Sequence, residues 1–367
     1  MHQALASGED VRRCSFHGLL LCGMSCFGIC SCLVLVILVA VAVILPLFFT
    51  ETIRHYTTYN LYYNPITLPE PLFNNTNFIL DDVPLNPNNT KYTLEPRICS
   101  DDPIHHPYLV LFIPSRPGNA QDRAALRETW GAHARLCNVR VVFGFGTFDS
   151  EDLFEEVRAE NNLYGDLLQT SRVTDAYHNQ TRLVLSFLEW GANHCQGAKF
   201  IGKADEDTWI NIFGVLKYLQ LPAASENAVI GHFLYKQPVK RLPEEKWFLT
   251  LAEFPNTTHP PFPVGQLYVF PQLSLRSVLS AAQNLTIHWL DDVFIGGQIP
   301  EFLKMTLIHV KERAQLYEVD RRNCFSRKVF IIHATSADRK RKIFYDSCMA
   351  VYRMESCQAH VDLLTLD

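Results

Sequence analysis

Apolar residues fall in this chain in short unbroken runs, separated by stretches of helical composition. Tyr108-Leu109-Val110-Leu111-Phe112-Ile113 is such a run, bounded by prolines, and predicts a buried strand. Gln121 to Trp130 reads as a helix, Val139 to Gly146 as a second strand and Glu151 to Asn161 as a second helix. Thr174 to Cys195, with Leu183, Leu185, Leu188 and Trp190, predicts a long helix leading into a third strand over Ala198 to Lys203. Strand and helix alternate from about 110 to 215, which predicts an α/β domain with a mostly parallel central sheet. The rest is less regular. Strands are expected over 229–235 and 264–270, a helix over Pro271 to Gln283, a strand over Lys328 to Ile332 running into His333, and a helix over Asp338 to Arg353.

Two acidic spots interrupt this pattern. Asp205-Glu206-Asp207 follows the third strand, where open parallel sheets bind their ligands. Adjacent carboxylates repel by about 1 kcal/mol per pair even in water. Either solvent bathes the turn or a cation compensates it, and oxygen ligands favour a hard ion such as Mn²⁺ or Mg²⁺. Asp291-Asp292 precedes Val-Phe-Ile-Gly-Gly, which reads as a helix start. An N-cap role accounts for one of these aspartates; the other is a candidate base for a substrate hydroxyl, kept ionised by the helix terminus. His333 is either a hydrogen-bonded core histidine or a further metal ligand. Arg123 and Arg127, four residues apart, share one helix face that meets either solvent or phosphate.

Composition adds a compartment. From Cys14 to Thr50 no Asp, Glu, Lys or Arg occurs, a stretch longer than the roughly 20 residues a bilayer requires, and Leu33 to Leu45 within it is wholly aliphatic. Arg12 and Arg13 before it and Glu51 after it orient a signal anchor with its N-terminus in the cytosol. The expected organisation is a cytosolic tail over 1–17, a transmembrane anchor over 18–49, a Pro- and Asn-rich stem over 50–105 and a catalytic domain over 106–367. Five Asn-x-Ser/Thr sites, at Asn74, Asn88, Asn179, Asn256 and Asn284, all follow the anchor, as expected of a lumenal body. Six of the 11 cysteines also follow it, which allows disulfides of open connectivity. The net charge of −5, without a basic block, gives no reason to expect nucleic acid.

Five segments in order resemble a known family. Arg123-Ala-Ala-Leu-Arg-Glu-Thr-Trp-Gly131, Tyr164-Gly-Asp-Leu-Leu-Gln169, Asp175-Ala-Tyr-His-Asn-Gln-Thr181, Lys203-Ala-Asp-Glu-Asp207 with Asn211, and Asp291-Asp-Val-Phe-Ile-Gly296 are similar to motifs of the β1,3-galactosyltransferase/β1,3-N-acetylglucosaminyltransferase family, glycosyltransferase family 31. The resemblance runs from about Tyr108 to Tyr352. It implies a GT-A-like nucleotide-sugar-binding domain, a UDP-sugar donor, galactose before N-acetylglucosamine, and inverting β1,3 transfer to a glycan on a glycoprotein or glycolipid. It implies a Golgi membrane location and leaves a homo-oligomer open. By position, Asp207, Asp205 and His333 would hold Mn²⁺ or Mg²⁺. Asp205, Glu206, Arg123 and Arg127 would contact the nucleotide, and Asp292 would be the base. A silent, glycan-binding or chaperone-like relative is the alternative, which loss of these carboxylates would mark. Two departures stand out. Gln266 and Leu267 replace glycines of the family, where larger side chains would crowd a sugar, and Arg182 sits one place before Leu183, which takes the position of the family's lysine.

Overall fold

A computed structural model of the chain describes residues 91–99, 106–225, 227–310, 313–315 and 329–344, all within one compact unit running from Asn77 to Asp367. The tail, the anchor and the stem up to residue 90 lie outside the described residues, as does the C-terminal end of the helix expected over Asp338 to Arg353. Among the described residues no helix is long and apolar enough to cross a membrane.

The strands, in chain order, are β1 (Tyr92–Leu94), β2 (Leu109–Pro114), β3 (Val139–Thr147), β4 (Leu167–Thr174), β5 (Phe200–Ala204), β6 (Thr208–Ile210), β7 (Ala228–Leu234), β8 (Phe262–Pro271), β9 (Thr306–His309), β10 (Arg313–Gln315) and β11 (Val329–His333). Eight of them form one sheet in the order β1-β4-β3-β2-β5-β8-β7-β9, and β10-β11-β6 form a small second one. Only β1 and β8 run against the other strands of the large sheet, so the expected mostly parallel sheet is present.

The helices are α1 (Ala120–Glu128), α2 (Trp130–Leu136), α3 (Glu151–Tyr164), α4 (Gln180–His194), α5 (Ile212–Leu219), α6 (Leu275–Ala282), α7 (Asp291–Val293), α8 (Ile299–Leu303) and α9 (Ala337–Lys342). They cover both faces of the sheet. Leu109, Leu111 and Ile113 of β2 pack with Leu126, Trp130 and Val157 from α1 to α3, whereas Val110 and Phe112 pack with Leu183, Phe187 and Leu188 of α4. This two-sided burial is why β2 is an unbroken apolar run. α4 lies under the sheet with every side chain from Leu183 to Ala192 buried.

Two expectations change. β4, Leu-Leu-Gln-Thr-Ser-Arg-Val-Thr, is a buried strand where none was expected. Residues 91–99 fall within the stretch read as stem, yet β1 pairs with β4 and Cys99 is disulfide-bonded to Cys195 at the end of α4. That bond closes a separation of 96 residues. Cys99→Ser is therefore expected to lower stability by about 2–4 kcal/mol, read by denaturant unfolding of the oxidised protein. A loss below 1 kcal/mol would show that β1 is held by pairing alone.

Candidate active site

The chain crosses over between β2 and β5: β3 and β4 lie to one side of this pair and β8, β7 and β9 to the other. At such a switch point the loops after the two central strands part and leave a crevice at their carboxyl ends. Asp205-Glu206-Asp207 follows β5 at this crevice, and all three side chains are half-buried. Trp130 fixes the turn from behind, its indole N–H donating to Thr208 O at 3.0 Å. In front, Asn211 caps α5 by accepting from Gly214 N at 3.1 Å. Glu206 reaches across the crevice to the β2–α1 loop, where Ser115 Oγ and Asn119 Nδ2 donate to its two oxygens. Burial lifts its carboxyl, against those two donors.

The second acidic spot arrives from the other side. Gly265 in β8 is the meeting point: a methyl group there would lie 3.3 Å from Asp205 Oδ2, 3.4 Å from Asp292 Oδ2 and 3.6 Å from Lys203 Nζ. The two carboxylates are thus no further apart than those first two distances laid end to end. Lys203 is 1% exposed, and its ammonium donates to Asp205 Oδ1, to Gly265 O at 2.8 Å and to Asp291 Oδ2 at 3.1 Å. Burial alone would lower this lysine, but Asp205 and Asp291 together carry it above its ordinary value. Asp291 is buried and accepts from the Tyr268 hydroxyl at 2.9 Å. Asp292, one residue on, is half-buried with Oδ2 beside Gly265, while among the described residues its Oδ1 accepts only from the adjacent Val293 N at 2.8 Å.

Neither aspartate caps a helix. Leu290 is the N-cap, without a side-chain cap bond, and α7 lasts three residues before a π turn over Phe294–Gln298. Such turns concentrate at functional sites. Gly296 belongs to it because a methyl there would strike Pro263 Cγ at 2.5 Å. The expectation that helix polarity keeps Asp292 firmly ionised is also corrected. Burial first, and then Asp291, push it up to about 7; burial also lifts Asp205 to about 6, against Lys203. A base that titrates near neutrality is well matched to taking a proton from an alcohol.

His333 ends β11 beside β6, and its Nε2 lies 3.1 Å from Asp207 Oδ2. Two ligand atoms about 2.1 Å from an octahedral ion lie roughly 3.0 Å apart when adjacent, so the pair has the spacing of two neighbouring ligand positions. Both side chains are partly exposed, so solvent can reach the pair. Asp205 does not complete the set, since Lys203 holds it toward Asp292. Among the described residues no group of three His, Cys, Asp or Glu is close enough to hold an ion.

The galactosyltransferase family profile matches residues 121–311, which contain every element of this cleft except β2, its Ser115 and Asn119, and β11 with His333. The chain belongs to the galactosyltransferase family. It is 30% identical over 211 residues to the β1,3-galactosyltransferase brn of Drosophila melanogaster, covering 56% of this chain and 64% of that one. It is 27% identical over 322 residues to a lactosylceramide 1,3-N-acetyl-β-D-glucosaminyltransferase of Xenopus tropicalis, covering 81% and 79%. Human β1,3-galactosyltransferase 5 is 30% identical over 192 residues, covering 52% and 62%. The chain thus spans less than two thirds of the fly and human relatives.

In this galactosyltransferase-family chain the arginines of the first motif are not phosphate ligands. Arg123 is wholly buried and spends its donors inside the domain: Nε and Nη2 on Glu160, Nη1 on Ser115 Oγ and Arg116 O, and Nη2 also on Pro117 O. A guanidinium has five N–H groups, and none is left over. Arg127 forks onto Asp166 at 2.7 and 2.8 Å and also meets Glu160. Both arginines tie α1 to α3 through Glu160, and Arg123 also holds the β2–α1 loop that receives Glu206. Leu267 is fully buried in the core and does not crowd the cleft. Lys203, Tyr268 and Gly265 are the cleft residues that sequence reasoning did not assign. A lysine inside an otherwise apolar parallel strand was the one visible signal.

Proposed function

We propose that this protein is a metal-dependent, inverting glycosyltransferase of GT-A architecture. It moves a hexose, galactose or N-acetylglucosamine, from a UDP-sugar to a glycan hydroxyl in β1,3 linkage. The observation that carries the reading is the convergence of Asp205 and Asp292 on Gly265, beside the Asp207–His333 pair. The named activities of the relatives support the same chemistry. In this reading Glu206 and Asp205 border the nucleotide, and Asp207 with His333 holds the divalent ion. Such an ion, when bound, neutralises charge gathering on the departing diphosphate.

Asp292 Oδ2 takes the acceptor hydroxyl's proton while that oxygen bonds to the sugar's anomeric carbon. The bond from that carbon to the phosphate oxygen breaks, and UDP leaves with the electron pair. Attack from the face opposite UDP inverts the carbon. The membrane anchor and a Golgi-lumenal orientation belong to the same proposal, on the strength of the apolar run before Thr50 and the sequons after it.

Full-length protein in detergent is expected to release UDP from UDP-galactose or UDP-N-acetylglucosamine with Mn²⁺, to stop with EDTA, and to recover when Mn²⁺ is returned. Asp207→Asn is expected to weaken Mn²⁺-dependent donor binding about tenfold or more, read by titration calorimetry. Silence with both donors across neutral and acidic glycan acceptors would overturn the assignment.

A further inference from the structure

An open cavity of about 560 Å³ is lined by Trp289, two residues before Asp291, together with His178, Arg182, Lys246, Glu245 and Glu253. That volume is in the range of small-ligand sites. Its apolar wall is held rigidly. Trp289 Nε1 donates to Phe248 O at 3.2 Å, and the indole meets Tyr177 and His178 with ring centres 5.3 and 4.9 Å away. A fixed indole presents an apolar face of the kind that stacks on a pyranose ring. Tyr177, in ring contact with Trp289, has its hydroxyl raised first by burial and then by Asp205 and Asp292 of the cleft.

The charges on the wall are unequal in what remains unpaired. Glu245 accepts from Leu242 N at 3.2 Å and pairs with Lys240 at 3.2 Å. Glu253 accepts from Thr250 N at 2.8 Å and Thr250 Oγ1 at 2.7 Å. His288, at the cavity's inner end, is pushed down to about 4 by burial and by His259 and is neutral at pH 7. Arg182 is half-buried in the first turn of α4 and makes no hydrogen bond or ion pair among the described residues. Lys246 is exposed, with its Nζ 5.4 Å from the Trp247 ring centre. The two carboxylates are occupied, whereas among the described residues neither cation has an anionic partner.

We propose that this cavity is the acceptor subsite and that Arg182 reads an anionic group, a carboxylate or a sulfate, on the acceptor glycan while its ring stacks on Trp289. The proposal rests on the transferase reading and narrows its acceptor to acidic glycans. A guanidinium fork matches the paired oxygens of either anion, and Lys246 adds a second positive charge at the rim.

The test is an NMR titration of the full chain in detergent with three probes: methyl β-glucuronide, its near-isostere methyl β-glucoside, and methyl β-glucoside 6-sulfate. At least one anionic probe is expected to bind roughly tenfold more tightly than the glucoside, with the margin shrinking at high salt. Whichever anion gains the margin identifies the acidic group. Arg182→Gln is expected to erase the margin and leave glucoside binding within about twofold. Trp289→Ala is expected to weaken all three. Equal binding of the three probes, no binding of any, or a margin that survives Arg182→Gln overturns the proposal. These outcomes are separate from turnover: UDP release to neutral acceptors without a charge margin would spare the transferase reading and remove this one. A charge margin without UDP release would keep Arg182 as a reader of acidic glycans but remove the transferase reading and, with it, the cavity's role as an acceptor subsite.

Discussion

Lys203→Met is expected to destabilise the folded domain by about 3–5 kcal/mol at pH 7, the loss typical of breaking a buried ion pair from one side. The substitution keeps the length and apolar stem of the side chain, so its effect isolates the charge. The ammonium holds Asp205 and Asp291 directly and lies close to Asp292, with 1% of the residue exposed. Without it, three carboxylates crowd the ends of β5, β8 and α7 with no cation between them. Asp205 and Asp292 would resist ionising still more, so their folded-state values rise further above the unfolded ones. A group whose folded value is raised stabilises most when protonated, and that stability is lost as pH rises through the folded value. The defect is therefore expected to be smallest near pH 5 and largest above pH 7. Denaturant melts at several pH values read it, and Lys203→Met/Asp291→Asn is expected to recover part of the loss. A pH-independent loss, or one under 1 kcal/mol, would mean that the lysine only fills space.

How far the sequence foretells this arrangement depends on where polarity is buried. β2, β3 and β5 are legible because both faces of the sheet are covered and their side chains are correspondingly apolar. β4 is not legible, because its polar side chains are buried as partners. Gln169 accepts from Thr93 Oγ1 at 2.7 Å, and Arg172 pairs with Glu189 of α4 at 2.7 Å. Strand recognition by apolar runs fails wherever ion pairs take the place of apolar contacts. The same effect misplaced Arg123 and Arg127. Their spacing establishes a shared helix face, but only Glu160 and Asp166, distant in sequence, determine that the face points inward.

The cleft itself divides in the same way. The acids after β5 follow from the rule that parallel sheets bind ligands at strand ends, and no fold detail is needed to suspect them. Their convergence with Asp292 depends on β8 running antiparallel beside β5, with Ala204 opposite Leu267 and Lys203 opposite Tyr268. That register brings Gly265 next to the acids and α7 over them. Nothing local in residues 262–271 announces it. Nor does local sequence separate Asp291 from Asp292. The neighbours do: Tyr268 and Lys203 hold the first inside, and the second is left facing the crevice.

Asp292→Asn is accordingly expected to cut turnover by about 10²–10⁴-fold, the usual share of a general base, while donor binding stays within about twofold of wild type. Asparagine preserves shape and the hydrogen bond from Val293 N but accepts no proton. It also removes one of the mutually repelling carboxylates, so stability is expected to hold or rise, which separates a chemical defect from a folding one. The pH dependence gives a second reading. Asp292 is pushed up to about 7, so its basic form is present above that value and is lost as pH falls through it. Wild-type kcat/KM is therefore expected to rise with pH along a limb centred near 7, and the residual rate of Asp292→Asn to lack that limb. Asp291→Asn, by contrast, is expected to retain the limb, because Asp291 is bonded to Tyr268 and Lys203 rather than turned to the acceptor. Full turnover in Asp292→Asn, or a limb abolished by Asp291→Asn instead, would assign the proton to a different group and leave Asp292 as a neighbour of the reaction.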